Sequence, residues 1–205
     1  MRRIIFFIDG FNVYHALEDN IQYHKHKWLN YAALSRCYIT KKDTIVKVLY
    51  FTAYAHWDPS KVARHKILNK ALELEGVEIV FGKFKKRTKK CRLCYKIYST
   101  FEEKQTDVNI AIKLFQHAID DDFDRAIIMS GDGDLIPAIK EVKKTFPAKE
   151  IGLVIPIGRR SEELKQECDF HMKMKQTHLT ASQFPPTIVI DPAKNIVLQR
   201  PPTWT

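Results

Sequence analysis

Five short runs of apolar residues, IIFFID (4–9), IVKVLYFTAY (45–54), VEIVFGKF (77–84), RAIIMS (125–130) and EIGLVIPIG (150–158), alternate with stretches of helical spacing. A run with little polar alternation is the pattern of a strand buried on both faces. Strands of that kind, separated by helices, predict a parallel sheet covered by helices on both sides. The spacing predicts helices over 31–39, with Asn30 as cap, and over 62–76, ending at Gly76. Further helices are expected over 106–121, with Thr106 as cap, over 135–146 and over 161–174. From about Gln183 the chain carries PP and DP pairs and reads as extended and irregular. The expected organisation is one domain over 1–176, with a basic insertion at about 83–104, and a Pro-rich tail over 177–205.

The chain has 205 residues, 45% of them hydrophobic, enough for one α/β domain with a full core. No apolar stretch is long enough to span a bilayer, so no membrane partner is expected. In MRRIIFFID the acid at Asp9 interrupts the apolar run and no small-residue cleavage site follows. That reads as a first strand rather than an export signal. Reduced thiols at Cys37, Cys91, Cys94 and Cys168 and a cytoplasmic location are then expected. The net charge of +10 argues for a polyanionic partner, nucleic acid first and an anionic membrane surface second.

Against that basic background, acids stand at the ends of elements. Asp9 ends the first apolar run, Asp132 and Asp134 follow the fourth, and Asp107 heads the helix before it. In open α/β sheets, sites form outside the carboxyl ends of the strands, where the strand order reverses. Singly, Asp134 reads as a helix cap and Asp107 as a first-turn acid favoured by the helix dipole. Together, converging carboxylates would raise one another's pKa, and a hard divalent cation such as Mg²⁺ removes that repulsion. Asn12 adds a neutral oxygen or a donor beside Asp9, and Gly10, Gly131 and Gly133 allow sharp turns and close approach. An acidic metal site on a basic protein suits phosphodiester hydrolysis without a covalent intermediate. Neither a Ser-His-Asp or Cys-His arrangement nor a Gly-rich phosphate loop is visible. A haloacid-dehalogenase-like phosphatase needs an aspartate where Phe11 stands, and a DxD glycosyltransferase leaves Asp9 and Asp107 without a role.

Between Lys83 and Lys96 there are eight Lys or Arg and no acid. Lys85, Lys86, Arg87, Lys89, Lys90 and Arg92 are interleaved with or followed by Phe84, Tyr95, Tyr98 and Phe101. Cations among aromatics suit a single nucleic-acid strand, the charges following phosphates and the rings stacking on bases. The same run also reads as a solvated loop. Arg159 and Arg160 have two readings as well, phosphate contact or solvated turn. Cys91 and Cys94 make half of a structural zinc site. Cys168 and His171 supply a second pair by count but belong to the opposite edge of the expected sheet, so closure would require a homodimer. A redox CxxC would lack thioredoxin-like surroundings.

FIDGFNVYHAL, EEKQTDVNIAIKL, AIIMSGDGDLIPAI and GRRSEELKQECDF resemble the NYN domain family of PIN-like nucleases, which includes LabA-like proteins. The resemblance runs from about residue 3 to 175, and the closing RPPTW looks like the tail of some relatives. It implies a Rossmann-like fold with a parallel five-stranded sheet of order 3-2-1-4-5 and helices on both faces. It also implies Mg²⁺- or Mn²⁺-dependent ribonuclease activity, endonucleolytic on single-stranded RNA, with DNA not excluded by the residues themselves. By motif, Asp9, Asp107, Asp132 and Asp134 match the metal carboxylates and Asn12 the family's asparagine. Glu103 matches an added ligand, and Lys104 a group that holds a phosphate or tunes Asp107; both also read as solvated charges. Ser161 matches the serine opening the last helix, where it is an ordinary cap. The alternative is a catalytically inactive RNA-binding regulator of the same fold.

Overall fold

The structure is a computed structural model that describes residues 1–204. The chain opens with β1 (Arg2–Asp9), α1 (Gly10–Glu18), a 3₁₀ turn (Ile21–His26), α2 (Tyr31–Arg36), β2 (Asp43–Thr52), α3 (Pro59–Leu74) and β3 (Glu78–Phe81). Next come β4 (Lys83–Lys90), β5 (Ile97–Lys104), α4 (Thr106–Ile119), β6 (Arg125–Met129), a 3₁₀ turn (Gly133–Leu135), α5 (Ile136–Thr145) and β7 (Glu150–Ile155). The last elements are α6 (Glu162–Glu167), β8 (Phe170–Lys173), α7 (Gln176–Ala181), β9 (Thr187–Asp191), β10 (Ile196–Gln199) and a 3₁₀ turn (Pro202–Trp204).

The central sheet has six strands in the order β3-β2-β1-β6-β7-β8, all parallel. Successive residues of its strands serve opposite faces. Ile4, Phe6 and Ile8 of β1 face a layer built from α1, α2 and α3, into which Val13, Leu34 and Leu72 pack. Ile5 and Phe7 face the other layer, where α4, α5 and α6 supply Leu114, Ile139 and Leu164. Burial on both sides is what the unbroken apolar runs require. The chain winds outward from β1 to β2 and β3, then returns to β6 and winds the other way. The reversal lies between β1 and β6, so their carboxyl ends flank the crevice where such sheets bind ligands.

The expected five-stranded order is corrected by one strand. Residues 161–174 form a helix only as far as Glu167, and 170–173 form β8 along β7. Asp169 makes the switch: its side chain accepts from Ile151 N at 2.7 Å and its own N–H donates to Ile151 O at 2.8 Å. Phe170 then lies over Gly152, where an added Cβ would come within 2.1 Å of the ring. The run read as a strand over 77–84 breaks at Gly82. The basic segment that follows is a regular antiparallel hairpin of β4 and β5, in register from Lys83 opposite Lys104 to Lys90 opposite Ile97.

The tail is not irregular. Its strands β9 and β10 pair antiparallel, and the end of the chain returns to the domain. Trp28 holds it there, with ring centroids 5.2 Å from Phe184 and 6.4 Å from Trp204, and its indole N–H donates to Pro185 O at 2.8 Å. The aromatic residues of the tail act as core although the prolines between them bar a helix. No helix among the described residues is long and apolar enough to cross a membrane.

Candidate metal centre

Asp9 is the last residue of β1 and the cap of α1. One carboxylate oxygen accepts from Asn12 N at 2.9 Å, and the other accepts from the Ser130 hydroxyl at 2.8 Å. Both oxygens are thus oriented, and the residue is only 3% exposed. Across the crevice the chain leaves β6 through Ser130, whose hydroxyl also accepts from Asp132 N at 3.0 Å. Ser130 therefore ties the carboxyl end of β1 to the loop carrying Asp132. Asn12 adds a parallel tie, its side-chain oxygen accepting from Gly131 N at 3.0 Å. The Asn12 side-chain oxygen is thus spent on structure. At Gly10 a Cβ would fall 2.6 Å from Phe51 O and 2.7 Å from the Tyr50 ring, so close packing of α1 on β2 requires glycine there. Gly131 and Gly133 keep negative φ, so the turn at the second aspartate pair does not depend on left-handed glycine.

Asp107 arrives from α4. Thr106 does not cap that helix: the preceding residue, Gln105, occupies the cap position in the left-handed region (φ +82°) without a side-chain bond. Instead the Glu103 carboxylate accepts from Thr106 N at 3.0 Å and from the Thr106 hydroxyl. This bracket turns the chain from β5 into α4 and puts Glu103 and Asp107 on the same crevice.

Carboxylate oxygens of Asp9, Asp107 and Asp132 lie within 4.8 Å of one another. None of these three, nor Asp134 or Glu103, has an ion-pair partner among the described residues. The electrostatic consequence is large. Asp107 is pushed up to about 6, by burial first and then by the charges of Asp132, Asp9, Glu103 and Asp134. Asp9 is raised too, chiefly by burial, against the Asn12 and Ser130 hydrogen bonds that lower it. Three oxygen donors with unrelieved mutual repulsion fit a hard divalent cation that keeps part of its water shell. Asp134 stands outside the group. It is exposed, and its backbone N–H donates to the Asp132 side chain at 3.0 Å, so Asp132 rather than Asp134 caps the turn.

The cations expected near the site fall into sets. On one face of the hairpin Glu102 gathers Lys89 at 2.9 Å, Arg87 at 3.5 Å and Lys104 at 3.6 Å. Lys85 shares that face, whereas Lys86 and Lys90 lie on the other, with Phe84, Phe101 and Glu103. Arg92 is exposed at the tip. Arg159 packs against Gly131 at the rim of the crevice and pairs with Asp19 at 2.9 Å; Arg160 is exposed beside it. Ser161 precedes α6 without a side-chain capping bond. Cys91 and Cys94 stand at the hairpin tip, where the N–H groups of Cys94 and Leu93 hold the Cys91 thiol below its ordinary value. Among the described residues no third His, Cys, Asp or Glu joins them, and Cys168 is buried behind α6 with its thiol pushed up to about 12 by burial.

Sequence reasoning missed two features. Ser130 carries no motif beyond its place between an apolar run and Gly131. The second is an aromatic cluster: Trp57, from the loop before α3, stacks on Phe101 with centroids 3.8 Å apart and planes at 7°. Phe84 meets Trp57 edge-on at 4.7 Å and Phe11 at 5.2 Å. These rings seat the hairpin on the domain beside the carboxylates.

Comparison with known proteins agrees with this architecture. The family model of the NYN domain matches residues 3–175. The chain is 23% identical over 212 aligned residues to 6-hydroxy-3-succinoylpyridine 3-monooxygenase HspA of Pseudomonas putida (strain DSM 28022 / S16), covering 86% of this chain and 67% of that protein. A crystal structure of a protein of unknown function from Vibrio parahaemolyticus RIMD 2210633 shares the fold, with a TM-score of 0.54 at 19% identity. That match covers 85% of this chain and 94% of the other. The chain belongs to the NYN domain family.

Proposed function

From that membership as premise, we propose that the protein is a divalent-metal-dependent ribonuclease, hydrolysing internal phosphodiester bonds of single-stranded RNA. The observation that carries this reading is the trio of Asp9, Asp107 and Asp132 oxygens within 4.8 Å of one another, without an internal cation, in a chain of net charge +10. Mg²⁺ or Mn²⁺ held there would neutralise a phosphate and supply a water of lowered pKa. The protein's own part is positional. Ser130 and the Asn12 amide hold Asp9 rigidly, Asp132 is fixed through Asp134 N, and the Glu103–Thr106 bracket holds Asp107 in place. The basic hairpin and Arg159 would guide the RNA backbone toward these carboxylates, and Lys104 would meet a phosphate at the foot of the hairpin. Glu103 acts as a support of Asp107 in this reading. Asp134 adds negative field rather than a ligand. Cys91 and Cys94 would form half of a zinc site completed by a second copy of the chain.

The test is cleavage of labelled single-stranded RNA with Mg²⁺ or Mn²⁺, by the wild type and by Asp132→Asn. Cleavage by the wild type alone supports the enzyme. RNA binding by both, with cleavage by neither under either metal, makes the protein an RNA-binding regulator instead.

A second reading has one observation in its favour. The relative from Pseudomonas putida is named for a heteroaromatic substrate, and an aromatic-walled cavity adjoins the carboxylates here. A free heteroaromatic compound, rather than RNA, would then be the substrate, and loss of such a compound during incubation with the protein would be its sign.

A further inference from the structure

Next to the carboxylates lies a cavity of about 420 Å³ that phosphodiester chemistry itself does not use. Its size is that of a small-molecule site. Gly10 and Glu103 belong to its wall, so it opens from the same crevice: Gly10 follows Asp9, and the charge of Glu103 is felt at both Asp9 and Asp107.

The lining is sorted by chemistry. Phe11, Trp57, Phe84 and Phe101 supply ring faces and edges from three separate segments. Deeper in, Tyr50, Thr52 and His65 offer polar atoms. Burial pushes His65 down to about 4, so its imidazole is neutral at pH 7, and its Nε2 pairs with the Thr52 hydroxyl at 3.0 Å. A neutral, hydrogen-bonding floor beneath aromatic walls suits an uncharged planar heterocycle. Lys27, Lys61 and Arg64 also line the cavity. Lys27 is paired with Glu18, and Lys61 has Asp58 at 3.9 Å, whereas Arg64 has no carboxylate partner among the described residues. An anion attached to the heterocycle thus has a cation to meet.

We propose that this cavity is a nucleobase subsite, taking one unstacked base of the RNA whose adjoining phosphate lies at the carboxylates. The proposal rests on the ribonuclease reading and names how its substrate is seated. Single strands are bound in this manner elsewhere, a base turned out of the stack onto aromatic side chains while cations follow the backbone. The hairpin then has two uses: its cations guide the strand, and Phe84 and Phe101 complete the walls of the base pocket.

Binding is measured by calorimetry with Ca²⁺ present, against uridine, cytidine, adenosine and guanosine 5′-monophosphates, ribose 5-phosphate and nicotinate. At least one nucleotide should bind about tenfold or more tightly than ribose 5-phosphate, the effect expected of one base–aromatic stack. Ala55→Trp, which fills the cavity from a partly exposed loop position, should abolish that difference. Arg64→Ala should weaken nucleotide binding with the fold unchanged by circular dichroism. Equal binding of ribose 5-phosphate and every nucleotide would overturn the proposal, as would nucleotide binding that survives Ala55→Trp in a folded protein. Tighter binding of nicotinate than of any nucleotide would overturn it in favour of a free heteroaromatic acid. Cleavage is read separately. Nucleotide binding lost in Ala55→Trp, without cleavage of RNA by the wild type under Mg²⁺ or Mn²⁺, keeps the subsite and removes the nuclease. Cleavage that is indifferent both to Ala55→Trp and to an abasic residue at any position beside the cut keeps the nuclease and removes the subsite.

Discussion

At the residue scale, the carboxylate trio works against folding in the metal-free protein. A carboxyl whose folded pKa is raised above its unfolded value binds more protons when folded, so stability falls as pH rises between the two values. For Asp107 that window runs from the ordinary carboxylate range to about 6. Measured against Asp107→Asn as reference, the metal-free protein should therefore lose melting temperature as the pH rises from about 4 to 7. Mg²⁺ or Mn²⁺ should reverse the loss, with protons released on binding below about pH 6 as Asp107 ionises. Asp132→Asn keeps the oxygen that caps the turn but removes one charge. It should raise metal-free stability by roughly 1–2 kcal/mol and abolish the increment from metal, both readable by scanning calorimetry. The four aspartates were legible in the sequence because each falls where an apolar run ends or a helix begins. Their division was not. Asp134 lies within a 3₁₀ turn that Asp132 caps, outside the trio, and no hydrophobic period announces that turn. Ser130 was invisible for a related reason: its role depends on β1 and β6 being neighbours, a contact across 121 residues of sequence.

At the element scale, the hairpin shows what composition conceals. KFKKRTKK alternates around Phe84, yet nearly every other position is cationic, so no apolar face distinguishes a strand from a solvated loop. The structure resolves it by pairing. Lys83, Lys85, Arg87 and Lys89 share one face with Glu102, while Lys86 and Lys90 share the other with Glu103 and with the rings packed on Trp57. The second face carries Glu103, whose charge acts on Asp9 and Asp107, and the rings that line the adjoining cavity. Lys86→Gln with Lys90→Gln should therefore weaken RNA binding more than Lys85→Gln with Lys89→Gln, although the loss of charge is the same. If both lysines of the first pair meet phosphates, the slope of log K against log salt should fall by about 1.4, roughly 0.7 per contact on a single strand. Equal effects of the two pairs would mean that charge alone matters and the hairpin has no working face. The β8 correction has the same physical root. Phe170 and Met172 alternate with His171 and Lys173, but four residues are too few for a period of two to outweigh the helical spacing that runs into them.

At the scale of the whole molecule, the sheet was foreseeable as a class, since runs buried on both faces leave few alternatives to a parallel, doubly covered arrangement. What could not be foreseen was how the chain closes on itself. Prolines at 185, 186, 192, 201 and 202 break any long helix beyond α7 but say nothing about docking. Burial of Trp204 depends on Trp28, which belongs to the segment joining α1 to α2, far away in sequence. Trp204 is 8% exposed and also lines the cavity beside the carboxylates, so the end of the chain braces the layer that carries the base pocket. Trp204→Ala should cost about 3 kcal/mol as a buried aromatic truncation. For a domain of this size that lowers the melting temperature by roughly 6–12 °C. The metal-dependent increment in melting temperature should persist, because Asp9, Asp107 and Asp132 are tied by hydrogen bonds of Ser130, Asn12 and the Glu103 bracket, all from residues 9–132. Nucleotide affinity should fall with stability, because the cavity loses part of its wall. A variant that lost the metal increment along with the tail contact would show that pocket and metal centre form one cooperative unit rather than two sites sharing Gly10 and Glu103.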